Sequence, residues 1–597
     1  MPLSDTIQAA TRAARPGVGR LLVAATLLCG VGGLQAAHAS NMVQDWNNEF
    51  LLITQQTSGS LVAGPPDVAR EIAQIGAAMS DAVNAANGST LSSFAYTGGS
   101  IANANANVAA ATAAYTALNN IFSDQVWTTS ITSLSGGATT GTSNVALGTL
   151  VTNELSTFFA SELNGQGLTS PGTTCASSTT ALCNGYNLGL AAANAVNSSA
   201  AFSPTGSGAV ASIINGLTPQ TPVGSGTTPG VYVPPATRPE MFPTWGGTTP
   251  TGISNSQLSS ALTTISGPPA LNSAAYAKGL LQTECQGASG GFASLPANIQ
   301  SACTAAGFVQ TNANATATAN AALFWNDPGT TIQPPGHWLQ IADTAMTSQN
   351  SSLLQSAQLT ALLGEAMNDA GIAAWRQKYI TNLWRPITAI RNCDTGGTAA
   401  GTVTWNSNFT TCDTSWNSLI ATPPHPDYLA GHPAFSGAAA TVLADFFGTD
   451  NVSFASTSNY YCNGGGSTAQ FDANNLLVSC TVGAVVYHVS NAADCAVIVN
   501  GANSNGSPLI CPIVENFSSF SSASSGFLGS EFSRVAGGIH TPFAVIDALT
   551  VGNVIGQALA SNAGLIDVVP EPSSLSICAV SLLALTRLRR RRQAARV

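Results

Sequence analysis

Hydrophobic residues recur every three or four positions along most of the chain, which is the periodicity of an amphipathic helix. The clearest stripe runs from Asp67 to Asn87, and Gly88 is its predicted stop. The same spacing predicts further helices over residues 106–122, 145–163 and 338–378. The pattern therefore predicts an all-α protein.

One stretch of different composition interrupts this pattern. From about Gly165 to Gly252 the chain is rich in Ser, Thr, Gly and Pro, which favour turns and loops. We predict a long ordered excursion here, stapled by one disulfide and containing short strands at most. It lies within a predicted N-terminal helical lobe, residues 40–335, which precedes a predicted core, residues 336–565.

The first 39 residues carry the marks of an export signal. Basic residues are followed by an apolar run from Leu21 to Leu28 and by Ala37-His38-Ala39 before Ser40. This order is typical of a secretory signal peptide with its cleavage site. We therefore predict that residues 1–39 are removed on export.

The other end carries a second sorting signal. In residues 568–597, Pro570-Glu571-Pro572 precedes an apolar stretch, residues 575–585, and a cluster of arginines. This order resembles the PEP-CTERM signal of Gram-negative exported proteins. The apolar stretch is shorter than the roughly 20 residues of a membrane span. Membrane contact is therefore expected only through a transient C-terminal sorting helix. We expect the protein in the cell envelope or extracellular matrix of a Gram-negative bacterium.

Cysteine usage agrees with export. Ten of the 12 cysteines lie between the two signals, an even number that favours disulfides in an oxidising compartment. Several connectivities are open, and neighbouring positions suggest five local pairs. These pairs are Cys175 with Cys183, Cys285 with Cys303, Cys393 with Cys412, Cys462 with Cys480, and Cys495 with Cys511.

Positive charge is scarce between the two ends. Only eight of the 17 Lys and Arg residues lie there, against 25 acidic residues. Such a surface repels anions and offers no basic face for nucleic acid, so we expect no nucleic-acid partner. Three of the eight cations nevertheless fall into two short motifs near histidines. This local exception predicts a pocket for one compact oxyanion.

The first motif is Lys378-x6-Arg385-Pro386. A spacing of seven residues is two helical turns, so a helix would place both cations on one face until Pro386 ends it. A solvated basic face or a pair of surface ion pairs is the alternative interpretation. This chain otherwise avoids cations and yet places these two beside Trp375 and Trp384, which argues against a solvated face.

Two further motifs supply histidines. A Pro-rich loop leads to Gly431-His432 at the start of an Ala-rich helix, where backbone N–H groups favour anions. The third motif is Ser533-Arg534-x5-His540. Arg534 can bind two oxyanion oxygens, and neutral His540 can act as a nucleophile or metal ligand.

Two further histidines, His337 and His488, are predicted to be structural. His337 follows Pro334-Pro335-Gly336 and is predicted to be a loop residue. His488 stands in an apolar run and is predicted to be a core or loop histidine. No cysteine lies beside the histidines, which disfavours a zinc site or thiol catalysis.

Together, the three motifs in this order resemble the signature shared by vanadium-dependent haloperoxidases and the type 2 phosphatidic-acid phosphatase superfamily. The resemblance extends over about residues 340–550, and the segment 378–391 looks like the haloperoxidase branch. It implies a helical-bundle core, with vanadate as the cofactor. Its implied partners are hydrogen peroxide, a halide and an organic acceptor.

Individual roles follow from the resemblance. His540 would bind vanadate through a ring nitrogen. The vanadate oxygens would be neutralised by four groups: Lys378, Arg385, Arg534 and the N–H of Gly431. His432 would accept a proton from hydrogen peroxide, and Lys378 would polarise the bound peroxide. Halide would then be oxidised to hypohalous acid, with the metal acting as a Lewis acid.

Trp375 and His425 bear on the halide, because these positions resemble the halide side of the family's pocket. An aromatic residue at the first resembles chloroperoxidases, and a histidine at the second resembles algal bromoperoxidases. We predict bromide rather than chloride, since bromide is easier to oxidise. Family members often assemble, so a homo-oligomer is expected from the resemblance as well.

Two positions depart from the family pattern. Ala430 stands where a serine hydroxyl usually hydrogen bonds the oxyanion, and one such donor can contribute about 3 kcal/mol. Ala544 stands where an aspartate usually orients the histidine that corresponds to His540. Either another carboxylate or backbone carbonyl compensates, or the cofactor binds more weakly.

These departures keep three hypotheses open. The first is an exported vanadium-dependent haloperoxidase. The second is an acid phosphatase of the same fold, in which His540 forms a phosphohistidine and His432 protonates the leaving group. The third is a catalytically weakened envelope or matrix protein. The length of the chain and its excursion favour the first over the second.

Overall fold

The computed structural model describes most of the chain between the two predicted signals. The described residues are 41–57, 64–123, 147–169, 175, 179–202, 229–234, 240–309, 312–328, 331–392, 408, 413–458, 467–471, 477–482, 485–488 and 514–565. They belong to one compact unit, Ser40–Val597. The predicted signal peptide and sorting tail lie outside the described residues, so both stay predictions. The division into a lobe and a core also stays a prediction.

Helices dominate this unit, which confirms the predicted fold class. The first nine are α1 Met42–Thr57, α2 Pro65–Ala86, α3 Ala106–Ser123, α4 Leu147–Gly165, α5 Ala181–Ser198, α6 Asn255–Leu262, α7 Ala274–Gln286, α8 Ala297–Ala305 and α9 Asn312–Phe324. They are followed by α10 Gln333–Ser348, α11 Leu353–Thr381, α12 Pro386–Arg391, α13 Gly431–Phe447, α14 Phe520–Ser524, α15 Ser530–Ala536 and α16 Pro542–Ala563. Single 3₁₀ turns lie at Trp245–Gly247 and Phe292–Ser294.

The strongest predicted helix is confirmed. Helix α2 covers the apolar stripe, its residues from Pro66 to Ala85 are buried, and Gly88 follows its C-cap with φ +96°. The predicted block 338–378 is instead two helices, α10 and α11. The separation has a local cause, because the Ser352 side chain accepts the Gln355 N–H and caps a new helix start.

The predicted excursion contains a helix, which the composition did not predict. Helix α5 lies inside residues 165–252, and the side chain of Thr180 caps it by accepting the Cys183 N–H. An Ala-rich sequence with a good N-cap folds as a helix even between Gly- and Ser-rich flanks.

The strands of the described chain lie elsewhere, between α13 and α14 in the sequence. They are β1 Phe454–Thr457, β2 Ser467–Phe471, β3 Leu477–Val482, β4 Val485–His488 and β5 Val514–Phe517. Strands β1 and β5 pair antiparallel, with Phe454 opposite Phe517. Strands β2, β3 and β4 form an antiparallel meander in which Ser467 and Val485 both pair with Val482.

Small residues allow the central helices to pack closely. A Cβ on Gly76 of α2 would lie 2.3 Å from the Ala361 backbone nitrogen of α11, and one on Gly364 would lie 2.2 Å from that of Ala73. Helix α16 packs on α13 in the same manner, since a Cβ on Gly552 would lie 2.3 Å from a backbone oxygen of α13. By length and composition α16 could cross a membrane, but half of its most apolar window is buried in the protein. These contacts fix α11 and α13, which carry predicted site residues.

The helix that carries Lys378 ends before Arg385, so the prediction of a shared helical face is wrong. Helix α11 stops at Thr381, and Asn382 takes the left-handed conformation with φ +49°. Arg385 is the extended N-cap of α12, as expected for a residue before proline. The two cations therefore converge from different elements.

Two predicted disulfides are confirmed. Cys175 is bonded to Cys183, and Cys285 is bonded to Cys303. The other three predicted pairs involve side chains outside the described part of the chain, and they stay predictions.

Candidate active site

Lys378 is buried near the end of α11, with none of its surface exposed. Its Nζ donates to the backbone oxygens of Pro426 at 2.9 Å and Asp427 at 3.3 Å, and lies 5.6 Å from the centre of the Trp375 ring. Burial lowers the pKa of Lys378 well below its usual value, and the charge of Arg385 lowers it further.

Arg385 is held at the start of α12 by several acceptors. Its Nε donates to the His425 backbone oxygen at 2.6 Å, and its Nη1 donates to the Ile539 backbone oxygen at 2.8 Å. Its Nη2 lies 2.9 Å from His425 Nδ1. Since guanidinium can only donate, this nitrogen of His425 is the acceptor. Burial lowers the pKa of Arg385 to about 10, with Asp427 opposing the shift.

His540 is oriented by a buried carboxylate. Its Nδ1 lies 2.6 Å from Asp427 Oδ1, while the Thr541 hydroxyl donates to Oδ2 at 2.7 Å. Arg385 Nη1 donates to His540 Nε2 at 3.1 Å. Nδ1 therefore carries the proton, and the Nε2 lone pair faces the cations.

Asp427 supplies the orienting carboxylate that is missing at Ala544. Of the two outcomes left open by the sequence, compensation by another carboxylate is the one observed. Asp427 was not among the predicted site residues, although it stands in the Pro-His-Pro-Asp loop next to predicted His425. Burial raises the pKa of Asp427 to about 6, against the opposing effect of Arg385.

Gly431 and His432 begin α13 beside Trp375. A Cβ on Gly431 would lie 3.2 Å from the Trp375 ring, so glycine lets this helix start approach the indole closely. The Nε2 of His432 is buried and has no hydrogen-bond partner among the described residues. Burial lowers the pKa of His432 well below its usual value, and Arg534 lowers it further. His432 is therefore neutral, with a ring nitrogen available to a ligand.

Ala430 offers no hydroxyl at the start of this helix. It is fully buried, and its backbone N–H donates to the backbone oxygen of Ala544 at 3.1 Å. The two positions that depart from the family pattern are thus in backbone contact. The hydroxyl itself has no replacement at position 430.

Arg534 completes the group of buried cations from helix α15. Its Nε donates to Ser533 Oγ at 3.0 Å, and its Nη2 donates to the Ala322 backbone oxygen at 3.1 Å. Its charge lowers the pKa of both His432 and His540. The charge of Lys378 acts on the same two histidines, so all four groups share one site.

The two residues predicted for the halide side also meet. The rings of Trp375 and His425 lie 5.2 Å apart, and the Trp375 Nε1 donates to the Met241 backbone oxygen at 3.2 Å. Burial lowers the pKa of His425 well below its usual value, and Lys378 adds to the effect. His425 is therefore a neutral ring that is also bonded to Arg385.

His337 is not a loop residue, contrary to the prediction. It lies in the first turns of α10, is 1% exposed, and is hydrogen bonded through both ring nitrogens. Pro334 and Pro335 occupy the start of α10, where their missing N–H groups cost nothing. His488 lies in strand β4.

These residues fit a compact oxyanion such as vanadate. We call six of these residues the cradle. They are the three buried cations, the two residues that begin α13, and the histidine that follows α15: Lys378, Arg385, Arg534, Gly431, His432 and His540. Asp427 is the buried carboxylate in contact with it. Positive charge therefore exceeds negative charge in the cradle, and His432 Nε2 and His540 Nε2 both present lone pairs. Vanadate would be held by the cations and the Gly431 N–H, with His540 Nε2 as its ligand.

An oxyanion should bind this cradle more tightly as the pH falls. The free protein has a lowered Lys378 pKa, and a bound anion raises it by favouring the charged form. At a pH between the Lys378 pKa of the free protein and the Lys378 pKa of the complex, Lys378 is protonated only in the complex. Binding of the anion therefore takes up protons. Calorimetry with sulfate, whose charge is constant near neutral pH, in two buffers of different ionisation heat measures this uptake. Proton release would contradict the assignment.

Part of this chain is similar to a known protein family and to one of the family's enzymes. Residues 358–565 match the family model of the VCPO second helical-bundle domain, a stretch that includes every residue of the cradle. A vanadium chloroperoxidase of Curvularia inaequalis is 29% identical over 138 residues, or 21% of this chain. That match spans 22% of the length of the fungal protein.

Solved structures extend the similarity to the whole fold. A bacterial vanadium-dependent iodoperoxidase matches with a TM-score of 0.55 at 18% identity, covering 88% of this chain and 98% of that one. The holo form of a bacterial vanadium-dependent chloroperoxidase matches with a TM-score of 0.53 at 14% identity, covering 89% and 99%. The chain thus has the helical-bundle fold of vanadium haloperoxidases. The similarity to vanadium haloperoxidases that the motifs predict is thus found in the family model over residues 358–565 and in the fungal chloroperoxidase.

Proposed function

We propose that the protein is an exported vanadium-dependent haloperoxidase that uses hydrogen peroxide to oxidise halide, bromide in preference to chloride, to hypohalous acid. The observation that supports this most is the arrangement around His540. Its Nδ1–H is fixed by Asp427 at 2.6 Å, and its Nε2 lone pair is directed into a group of buried cations.

Bound vanadate would supply Lewis-acid activation of hydrogen peroxide without a change of oxidation state. The protein's own residues would do the rest. Lys378, Arg385 and Arg534 would stabilise the negative charge of the oxygens, in a site that excludes bulk water. Neutral His432 would accept a proton from peroxide at Nε2, the buried nitrogen that has no partner in the described chain.

Halide access would be shaped by Trp375 and His425. An indole and a neutral imidazole with ring centres 5.2 Å apart form an uncharged, polarisable wall beside Lys378. Such a wall suits a large, weakly hydrated halide better than a small one. Bromide therefore stays our proposed substrate, with an organic acceptor halogenated by the product.

Export is part of the proposal. The two described disulfides, Cys175–Cys183 and Cys285–Cys303, are compatible with an oxidising compartment. With the predicted signal peptide and sorting tail, they support a location in the cell envelope or extracellular matrix.

Two assays run side by side test the function. Purified protein is incubated with and without vanadate, and then assayed for bromination of a dye with hydrogen peroxide and for hydrolysis of an aryl phosphate. We expect bromination only with vanadate, and its loss in His540→Ala, because no other ring nitrogen in the cradle is oriented by a carboxylate.

The alternative outcomes separate the other hypotheses. Phosphate release that vanadate inhibits would replace the proposal with the acid phosphatase, since three cations and a histidine suit phosphate as well. Absence of both activities would point to the weakened protein. Bromination that is indifferent to vanadate would contradict the role given to the cradle.

A further inference from the structure

The end of α7 packs directly behind His540. Thr283, which is fully buried, donates its hydroxyl to the His540 backbone oxygen at 3.1 Å. The same hydroxyl lies 3.3 Å from the Gly279 backbone oxygen within α7, so His540 offers the nearer acceptor. Among the described residues, no other donor reaches the His540 backbone oxygen. Because a buried carbonyl group needs a partner, the Thr283 hydroxyl is the group that satisfies it.

Backbone contact reinforces this hydrogen bond. A Cβ on Gly287, just past α7, would lie 2.2 Å from the Gly538 Cα, and only glycine permits so close an approach. The Gly287 backbone oxygen also accepts the Leu419 N–H at 2.9 Å. The turn that precedes His540 therefore rests on the end of α7 without a flexible side chain between them.

Helix α7 is itself held in place at several points. Its Cys285 is bonded to Cys303 of α8. Seven residues before Thr283, or two helical turns, the Tyr276 hydroxyl accepts the Trp384 Nε1–H at 2.7 Å. Trp384 directly precedes an arginine of the cradle. One face of a disulfide-bonded helix therefore supports the cradle at two places.

The position of a ligand nitrogen depends on the main chain as well as on the ring. Asp427 fixes the direction of the His540 ring at Nδ1, and Thr283 fixes the backbone from which that ring extends. A metal site needs its ligands held within about 0.5 Å of the productive geometry. A bond to the backbone of the ligand residue therefore bears directly on the affinity for the metal group.

We propose that Thr283 is a positioning residue whose hydroxyl, through the His540 backbone oxygen, holds Nε2 where it binds vanadate. The inference rests on the proposed function, because it takes vanadate as the occupant of the cradle. Thr283 itself touches no reactant in this scheme.

The two oxyanions vanadate and sulfate separate positioning from general support of the cradle. Both accept hydrogen bonds from the buried cations, but only vanadate forms a coordinate bond with a ring nitrogen. A residue that positions His540 should therefore matter for vanadate and not for sulfate. A residue that merely stabilises the surrounding structure would matter for both.

A pair of variants at Thr283 tests the hydroxyl. Thr283→Val removes it and keeps the branched shape, whereas Thr283→Ser keeps it. We expect vanadate affinity to fall about three- to tenfold in Thr283→Val, the effect of one buried hydrogen bond, with sulfate affinity within about twofold of the wild type. Thr283→Ser should retain vanadate affinity within about twofold. Calorimetric titration of the purified protein with each anion measures the affinities.

A matched control is Thr360→Val. Thr360 is also buried, and its hydroxyl donates to the Ser356 backbone oxygen at 3.0 Å. It lies on α11 five turns, or about 27 Å, before Lys378. Both anion affinities should stay within about twofold there. A loss of vanadate affinity equal to that of Thr283→Val would show that any missing buried hydroxyl weakens the site, and would overturn the inference.

Hydrogen exchange of the vanadate-free protein tests the positioning by itself. Peptides that cover residues 537–541 should exchange at least about threefold faster in Thr283→Val, because the main chain there has lost a hydrogen bond. Equal exchange in the two proteins would overturn the inference. Equal vanadate affinity would do the same, as would a parallel loss of sulfate affinity.

Failure of the proposed function gives a different result. A wild type that binds sulfate but not vanadate would refute that function, and the exchange rates would still decide whether Thr283 positions His540. Should Thr283→Val not fold, Thr283→Ala removes the same hydroxyl and is expected to give the same affinities and exchange rates.

Discussion

Asp427→Asn should weaken vanadate binding about 10–100-fold, the usual effect of removing the carboxylate that orients a metal-bound histidine. Asp427 Oδ1 accepts the His540 Nδ1–H at 2.6 Å and is fully buried. Asparagine keeps the shape but loses the charge. It therefore makes Nε2 a weaker ligand, and this loss should outweigh the gain in net positive charge around the anion. A calorimetric titration with vanadate measures the loss of affinity.

A matched control is Asp413→Asn. Asp413 Oδ1 accepts the Ser415 N–H at 2.9 Å within its own turn and contacts no cradle residue. The same change of charge should leave vanadate affinity within about twofold there, as expected for a surface substitution. Equal affinities of the wild type and Asp427→Asn would show that the carboxylate does not support the ligand.

Lys378→Met should lower oxyanion affinity about 10–150-fold, the equivalent of one charge-assisted hydrogen bond of about 1.5–3 kcal/mol. The volume is nearly preserved, and a buried charge with a lowered pKa is removed. We therefore expect the free energy of unfolding without anion to change by no more than about 1 kcal/mol, because lost bonds to two carbonyl oxygens offset the saved desolvation. Anion titration and denaturant unfolding report the two effects separately.

The chain provides its own control, because it has exactly two lysines. Lys278 lies on α7 and is exposed. Lys278→Met changes the net charge equally but should leave the affinity unchanged, since exposed charges are screened by salt. Equal losses in the two variants would mean that the net charge of the protein, and not the cradle, sets the affinity.

Local patterns predicted a large part of this fold. Helix α2 was predictable because its apolar stripe and Gly88 are both encoded within one segment. The ends of α10 and α11 were not, since the break depends on the Ser352 cap and on Asn382 in the left-handed conformation. Strands β1 and β5 were missed because their pairing joins Phe454 to Phe517 across a long separation in sequence.

The cradle was predictable for a different reason. In a chain with few cations, Lys378, Arg385 and Arg534 stand out by their spacing from histidines. Asp427 does not, because its partner His540 lies 113 residues away and carboxylates are common in this chain. The contacts of His337 were missed as well, since Asp327 reaches it across a turn and Ser456 meets it only through a tertiary contact of β1 with α10. Spacing therefore indicated the charges, and only the structure indicated what orients the histidines.

Vanadate binding to the wild type and to His540→Ala tests the central claim most directly. Vanadium NMR or calorimetry near neutral pH gives both the stoichiometry and the affinity. We predict one vanadate per chain in the wild type, and an affinity at least tenfold lower in His540→Ala, where the cations remain but the ligand nitrogen is gone. Equal affinity in the two proteins, or no binding to the wild type, would contradict the assignment of the cradle as a vanadate site.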